Sequence, residues 1–279
     1  MPDESSLGWK SDAHKNLPGF RELYNRYPKA DWYIMLDDDT YLLKSNLVQL
    51  LESYDPSLPH YIGSATVFVG CDGVREFNQG PNFAHGGSGI VISRGAMKIM
   101  LARLDECIIK YKPCWAGDIR TALCLRDAGI LLKDPKGFNK DPPNEKYSFG
   151  DDPCHRPITF HHLLVKQIQG LADMEAQVEK RWDGKGHMEV TMEDVFRHSR
   201  KGLDPVQVNT DRTGWDITSK PTNTHQACLS ECQNVTNCRS FVYDGHKCWL
   251  KSGVPSVTTA TGFVSGIVPE HYVCLKKSV

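Results

Sequence analysis

Apolar residues alternate along the first two thirds of the chain between short unbroken runs and helix-spaced faces. Leu17 to Tyr27 reads as a short amphipathic helix. Trp32-Tyr33-Ile34-Met35-Leu36 has the aromatic and branched character of a buried strand and stops abruptly at Asp37-Asp38-Asp39. Ser45 is placed to cap a helix over Leu47, Val48, Leu50 and Leu51. Tyr61 to Val69 and Ile90 to Ser93 read as strands. Ser93 then caps a helix with Met97, Met100, Leu101, Leu104, Cys107, Ile108 and Tyr111 on one face. Asp118 opens another helix, which stops near Gly129. Gly129 to Lys133 and Ile158 to Leu164 are further strands, separated by a polar loop, residues 134–157, that holds five prolines. A helix from Leu164 to Trp182 closes this part. Strands alternating with helices predict an α/β sheet with crossovers.

Composition divides the chain differently after that point. Residues 183–205 turn polar and charged and read as a linker, within which Thr191 and Asp194 have the spacing of a capping box. The domain boundaries expected are therefore 1–182, 183–205 and 206–279. Ten cysteines split evenly, and the last five, Cys228 to Cys274, lie within 47 residues, the density of a disulfide-stapled module. The sequon Asn234-Val235-Thr236 falls among them and is a glycan acceptor in a secretory lumen. The cysteines point to an oxidising compartment. The first residues, Met-Pro-Asp-Glu-Ser-Ser, have neither the basic nor the apolar stretch of a signal peptide. Lys and Arg number 33 against 34 Asp and Glu, a net charge of −1, so no basic field favours nucleic acid. No apolar run reaches the roughly 18 residues of a membrane span.

Candidate chemistry starts at the aspartates. Ligands of open α/β sheets bind beyond the carboxyl ends of strands, and carboxylates this close repel unless a cation neutralises them. A hard divalent ion such as Mg²⁺ or Mn²⁺ suits them and can bridge nucleotide phosphates. The plainer alternative is a solvated acidic turn. His161 and His162 follow Ile158-Thr159-Phe160, and in a strand only one of the two faces the carboxylates. An imidazole among the ligands favours manganese. Asp118, in Trp115-Ala116-Gly117-Asp118, is either a helix cap or a general base beside an acceptor stacked on Trp115. His85-Gly86-Gly87-Ser88-Gly89 lets backbone approach a ligand or simply turns, and it is not a Walker A loop.

In combination these segments resemble a known family. WYIMLDDDTYLL (32–43), FAHGGSGIVIS (83–93), WAGDIRTALCL (115–125) and ITFHHL (158–163) occur in the order seen in Fringe-like β-1,3-glycosyltransferases, glycosyltransferase family 31. GWKSDAHKNLP (8–18) is similar to theirs as well. The resemblance covers about residues 7–170. It implies a GT-A-like mixed α/β sheet, a UDP-sugar donor, Mn²⁺, inversion at the anomeric carbon and residence in the Golgi or ER lumen, the full-length form being a type II membrane protein. It assigns Asp39 and His161 to the metal, Asp37, Asp38, Gly86 and Gly87 to the donor side, and Asp118 to the catalytic base. The acceptor is a glycan or glycoprotein hydroxyl, and the linkage β-1,3. In that family further strands precede the Trp-Lys segment, so the expectation is a chain truncated at its amino-terminal half that binds UDP weakly or not at all.

Residues 206–279 are similar to a PAN/Apple domain, an α+β module. That likeness implies pairs Cys228–Cys248 and Cys232–Cys238, leaves Cys274 unpaired, and suggests a protein or carbohydrate ligand. In the first part, Cys107 or Cys114 is placed to pair with Cys124. Two other functions compete: a catalytically inactive glycan- or protein-binding protein, and a Mg²⁺ phosphotransferase.

Overall fold

The computed structural model describes residues 11–67, 71, 82–144 and 146–275. They form two compact units, residues 1–140 with 158–165, and residues 141–157 with 166–279. No described helix is long and apolar enough to cross a membrane.

The first unit is built on a mixed sheet of β1 (Trp32–Met35), β6 (Ile90–Ser93), β3 (Tyr61–Ile62) and β7 (Leu132–Lys133), in the order β1-β6-β3-β7. β6 runs antiparallel to both neighbours, whereas β3 and β7 are parallel. Alternation along β6 explains the layers. Ile90 and Ile92 point into one buried cluster with Phe20, Met97, Leu104 and Leu123, while Val91 joins a second with Leu47, Leu51, Ile62 and Phe138. Both faces of the sheet are thus covered, as the α/β pattern requires.

Several elements differ from the sequence reading. The strand expected over Tyr61–Val69 breaks into β3 and β4 (Ala65–Val67), residues 68 and 69 lying outside the described residues. A Cβ at Gly63, the break, would sit 2.6 Å from Ala84 Cβ and Gly89 O, so the chain is crowded there by its neighbours. The long helix after Ser93 is two, Arg94–Leu101 and Leu104–Lys110, separated at Arg103, whose φ of −118° is not helical. Ser93 does cap the first, its hydroxyl accepting from Ala96 N–H at 3.1 Å. Ser45 does not cap Lys44–Leu51. The N-cap position is Leu43, and the Ser45 hydroxyl is buried without a partner among the described residues. β9 (Thr159–Phe160), inside the strand expected over Ile158 to Leu164, forms a further sheet with β2 (Tyr41–Leu42) and β8 (Phe138–Asn139), two-residue strands that the pattern did not mark. Disulfides Cys71–Cys114 and Cys107–Cys124 staple this unit.

In the second unit, a five-stranded antiparallel sheet has the order β10-β14-β12-β13-β11: Val206–Arg212, Val257–Ile267, Ser240–Tyr243, Lys247–Lys251 and Asp216–Pro221. The helix His225–Gln233 packs on it through Cys228 and Cys232, which bond to Cys248 and Cys238 beside Phe241 and Leu250. The expected linker is a folded part of this unit. Its helix Met192–Ser199 closes the capping box between Thr191 and Asp194, and Val190, Met192, Val195 and Phe196 are buried. Residues 141–157 also fold here. Phe149 pairs with Val254 and stacks edge-on against Phe196 and Tyr272. That placement corrects the reading of Cys274 as unpaired, because it bonds Cys154, 120 residues upstream and outside the module. All ten cysteines are paired.

Candidate active site

The aspartate run leaves β1 at the carboxyl end of the sheet, and the two residues after Thr40 immediately enter a second sheet. Tyr41 pairs with Phe160 and Leu42 with Thr159, so residues directly after the aspartates lie beside residues directly before the histidines. Leu43 N–H donates to Ile158 O at 2.9 Å, and Leu163 N–H to Asp39 O at 3.0 Å. This backbone pairing of distant segments brings the carboxylates and imidazoles together.

Buried His161 points Nε2 at Asp39 Oδ1, 3.1 Å away, and lies 3.8 Å from Asp37 Oδ2. His162 reaches the same carboxylate, Nδ1 to Asp39 Oδ2 at 3.7 Å. Only one of the pair was expected to face the aspartates. The strand stops at Phe160, and His162 adopts a left-handed φ of 57°, which turns its ring back until the two imidazole centroids are 3.8 Å apart. One ligand atom from each of Asp39, His161 and His162 lies within 4.8 Å of the others. Partial desolvation, with Asp39 and Asp38 alongside, raises the Asp37 carboxyl above its ordinary value, and His161 opposes this. Asp38 is exposed and acts on the group through its charge.

Gly86 and Gly87 thread between this cluster and Asp118. A Cβ on Gly87 would fall 2.2 Å from His161 Cε1 and Nε2, so only glycine lets the imidazole lie against the turn. Thr40 Oγ1 donates to Gly87 O at 2.5 Å, and Thr159 Oγ1 to Ser88 O at 2.6 Å, pinning the turn from both sides. Gly86 N–H donates to Asp118 Oδ2 at 3.0 Å, and Ile119 N–H to Oδ1 at 2.8 Å. Asp118 is thus not the cap of its helix, Gly117–Asp127. The cap position is Ala116, and the carboxylate is turned toward the glycines. Burial raises its proton affinity despite those two amides, and Asp37 adds to the rise.

The arrangement fits a divalent cation. An imidazole nitrogen and a carboxylate oxygen 3.1 Å apart share either a proton or a metal ion. The other nitrogen of His161, Nδ1, is buried with no partner among the described residues. Two imidazoles and a carboxylate make a mixed nitrogen–oxygen donor set that suits a first-row ion better than Mg²⁺. Asp39, His161, Gly87, Gly86 and Asp118 therefore form one connected group, with Asp37 beside it. His162 and Thr40 were missed as contributors. The histidine doublet was visible, but its turn depends on a backbone angle that residue spacing does not encode.

Residues 11–122 match the family model described as Fringe-like, residues 76–179 match the one described as "Protein of unknown function, DUF604", and residues 210–251 match the PAN domain. Among curated relatives, human Chondroitin sulfate synthase 3 is 28% identical over 121 residues, which is 41% of this chain and 13% of that protein. Human Beta-1,3-glucosyltransferase is 29% identical over 142 residues, 50% of this chain and 26% of that one. Glycoprotein-N-acetylgalactosamine 3-beta-galactosyltransferase 1 of Xenopus laevis is 24% identical over 153 residues, 54% of this chain and 37% of that one. The chain thus spans between about an eighth and about a third of these relatives' lengths. The solution structure of a PAN module from Eimeria tenella is 25% identical, covering 28% of this chain and 88% of that one with a TM-score of 0.21. The first unit is thus similar to Fringe-like glycosyltransferases over residues 11–122, and the second is similar to a PAN domain over residues 210–251.

Proposed function

We propose that the first unit is the catalytic part of an inverting, Mn²⁺-dependent hexosyltransferase that moves a sugar from a UDP-sugar to a glycan or glycoprotein hydroxyl, with β-1,3 linkage. The observation that carries this reading is the Gly86–Gly87 turn, which has the Asp39–His161 pair against one residue and Asp118 bonded to the other. Sugar transfer needs a stabilised leaving diphosphate and a base on the acceptor, held apart by about the width of a sugar ring.

Asp39, His161 and His162 would hold the ion, with Asp37 and Asp38 supplying further negative charge. Bound there, Mn²⁺ supplies Lewis-acid stabilisation of charge on the departing UDP. The remaining work falls to the protein. Asp118 is held by two backbone amides, so its free lone pairs have a fixed direction, and its raised proton affinity suits it to take the proton of an attacking hydroxyl. Gly86, lacking a Cβ, lets the Asp118 carboxylate lie against the turn, as Gly87 does for the His161 ring. One base on the face opposite the leaving group yields inversion without a covalent intermediate. Five disulfides and the relatives' chemistry support a place in the Golgi or ER lumen. The PAN domain is read as a binding module for protein or carbohydrate.

The test is sugar transfer from a panel of UDP-sugars to glycan acceptors with Mn²⁺. Asp39→Ala should lose about 10³-fold or more in rate together with Mn²⁺ binding by calorimetry. Asp118→Asn should lose about 10²–10⁴-fold while still binding Mn²⁺. Full activity in Asp118→Asn, or an Asp39→Ala chain that binds the ion normally, refutes the assignment. Glycan binding without turnover would make the protein a lectin instead.

A further inference from the structure

The sequon Asn234-Val235-Thr236 plays no part in the transfer reading, and the second unit gives it a defined setting. Asn234 ends the helix His225–Gln233 with φ −84° and ψ −8°, and its N–H donates to Ser230 O at 3.1 Å. Val235 turns inward and packs against the cluster of Cys232, Cys238 and Phe241, which leaves Asn234 and Thr236 on the outside, both exposed. The Asn234 amide and the Thr236 hydroxyl make no hydrogen bond among the described residues. The segment is also closed on itself: Val235 N–H donates to Cys232 O at 3.1 Å, Cys238 N–H to Val235 O at 2.8 Å, and Cys232 bonds Cys238 across a separation of six residues.

We infer that Asn234 carries an N-linked oligosaccharide, attached before the Cys232–Cys238 loop closes. A large polar adduct needs an exposed side chain with no structural duty, and Asn234 meets both conditions. The order of events follows from the backbone. A transferase must draw the acceptor segment into a cleft with the side chains of Asn234 and Thr236 both presented. Here Val235 is anchored in the core and the flanking cysteines are joined, so the folded loop resists extension. In the reaction Asn234 Nδ2 forms a bond to C1 of the sugar, and the bond from C1 to the diphosphate of a lipid-linked oligosaccharide breaks. The lipid diphosphate leaves, and a base of the transferase takes the Nδ2 proton. All five disulfides require the same oxidising lumen in which this chemistry occurs. The inference is independent of any sugar transfer by the first unit.

The experiment has two arms. The full chain, directed into the secretory lumen of cultured animal cells, should show a mass shift removed by a peptide-cleaving amidase and lost in both Asn234→Gln and Thr236→Ala. Cys232→Ser with Cys238→Ser should keep the shift, since attachment precedes closure. In the second arm, unglycosylated chain is given to the purified transferase with lipid-linked oligosaccharide. Reduced, unfolded chain should accept the glycan, and oxidised, folded chain should not. An unmodified Asn234 in the secreted chain and in the double serine variant overturns the site. Equal transfer to folded and unfolded chain overturns the order.

Discussion

Ser240 and Ser265 in the second unit are fully buried, and each hydroxyl is matched. Ser240 Oγ donates to Gly253 O at 2.7 Å, and Ser265 Oγ lies 2.7 Å from Thr210 Oγ1. Lys251, also buried, reaches Asp216 and the Gly214 carbonyl. In the first unit His161 is buried to a similar degree, yet one of its nitrogens has no partner and the other faces carboxylates. The contrast separates two uses of buried polarity. Matched groups specify a fold, whereas a buried group left unmatched beside crowded like charges marks a candidate site. The second unit has exceptions among its described residues, the Tyr272 hydroxyl and Arg212. Arg212 donates to Pro255 O and to Gln207 but leaves Nε unpaired and has no carboxylate partner among the described residues, and burial, with Arg200 nearby, lowers it to about 10.

Five measurements would break or sharpen this comparison. Replacing both members of the Cys154–Cys274 bond by serine should cost the second unit about 2–5 kcal/mol of unfolding free energy, read from urea titration, because the bond closes a separation of 120 residues. No loss there would mean that the segment 141–157 is held by packing alone. Gly87→Ala places a methyl group inside the His161 ring position and should weaken Mn²⁺ binding about 10–100-fold by calorimetry. Gly86→Ala, whose Cβ would sit 3.3 Å from Asp118 Oδ2, should instead slow transfer and leave ion affinity intact. Removing a matched group tests the other side: Ser240→Ala should cost about 1 kcal/mol in the same titration and leave ion binding unchanged.

The last measurement concerns a direction rather than a size. Burial holds the Asp118 carboxyl above its ordinary 3.8, so the rising limb of the rate against pH should have its midpoint above that value and vanish in Asp118→Asn. The sign for stability is opposite to that of a salt-bridged aspartate. The folded chain keeps the proton longer than the unfolded chain does, and stability contributed by the neutral form is lost as pH rises through the folded value. A limb at the ordinary value would detach Asp118 from the base role.

Much of this arrangement was legible beforehand because it rests on local signals. The apolar run ending in aspartates marks β1, Ser93 and Thr191 are caps by spacing, and the Cys228–Cys248 and Cys232–Cys238 bonds are the pairs that the likeness to a PAN domain implied. The two-residue strands Tyr41–Leu42 and Phe138–Asn139, by contrast, carry too little periodicity to be read. The helix after Thr191 was readable from its capping box, but the polar stretch 183–205 did not reveal that Val195 and Phe196 are buried there, since few apolar residues suffice when the partner surface is already formed.

The amino-acid sequence by itself determined which chemistries are present and in what order: the acidic triplet, the glycine turn, the helix-opening aspartate, the histidine pair and the paired cysteines. Only the tertiary structure decided that both histidines turn to one carboxylate, that the Gly86–Gly87 turn lies between His161 and Asp118, and that Cys274 finds Cys154. Residue type and spacing encode local propensity. A backbone angle such as that of His162, and a contact across 120 residues, are set by packing among segments far apart in the chain.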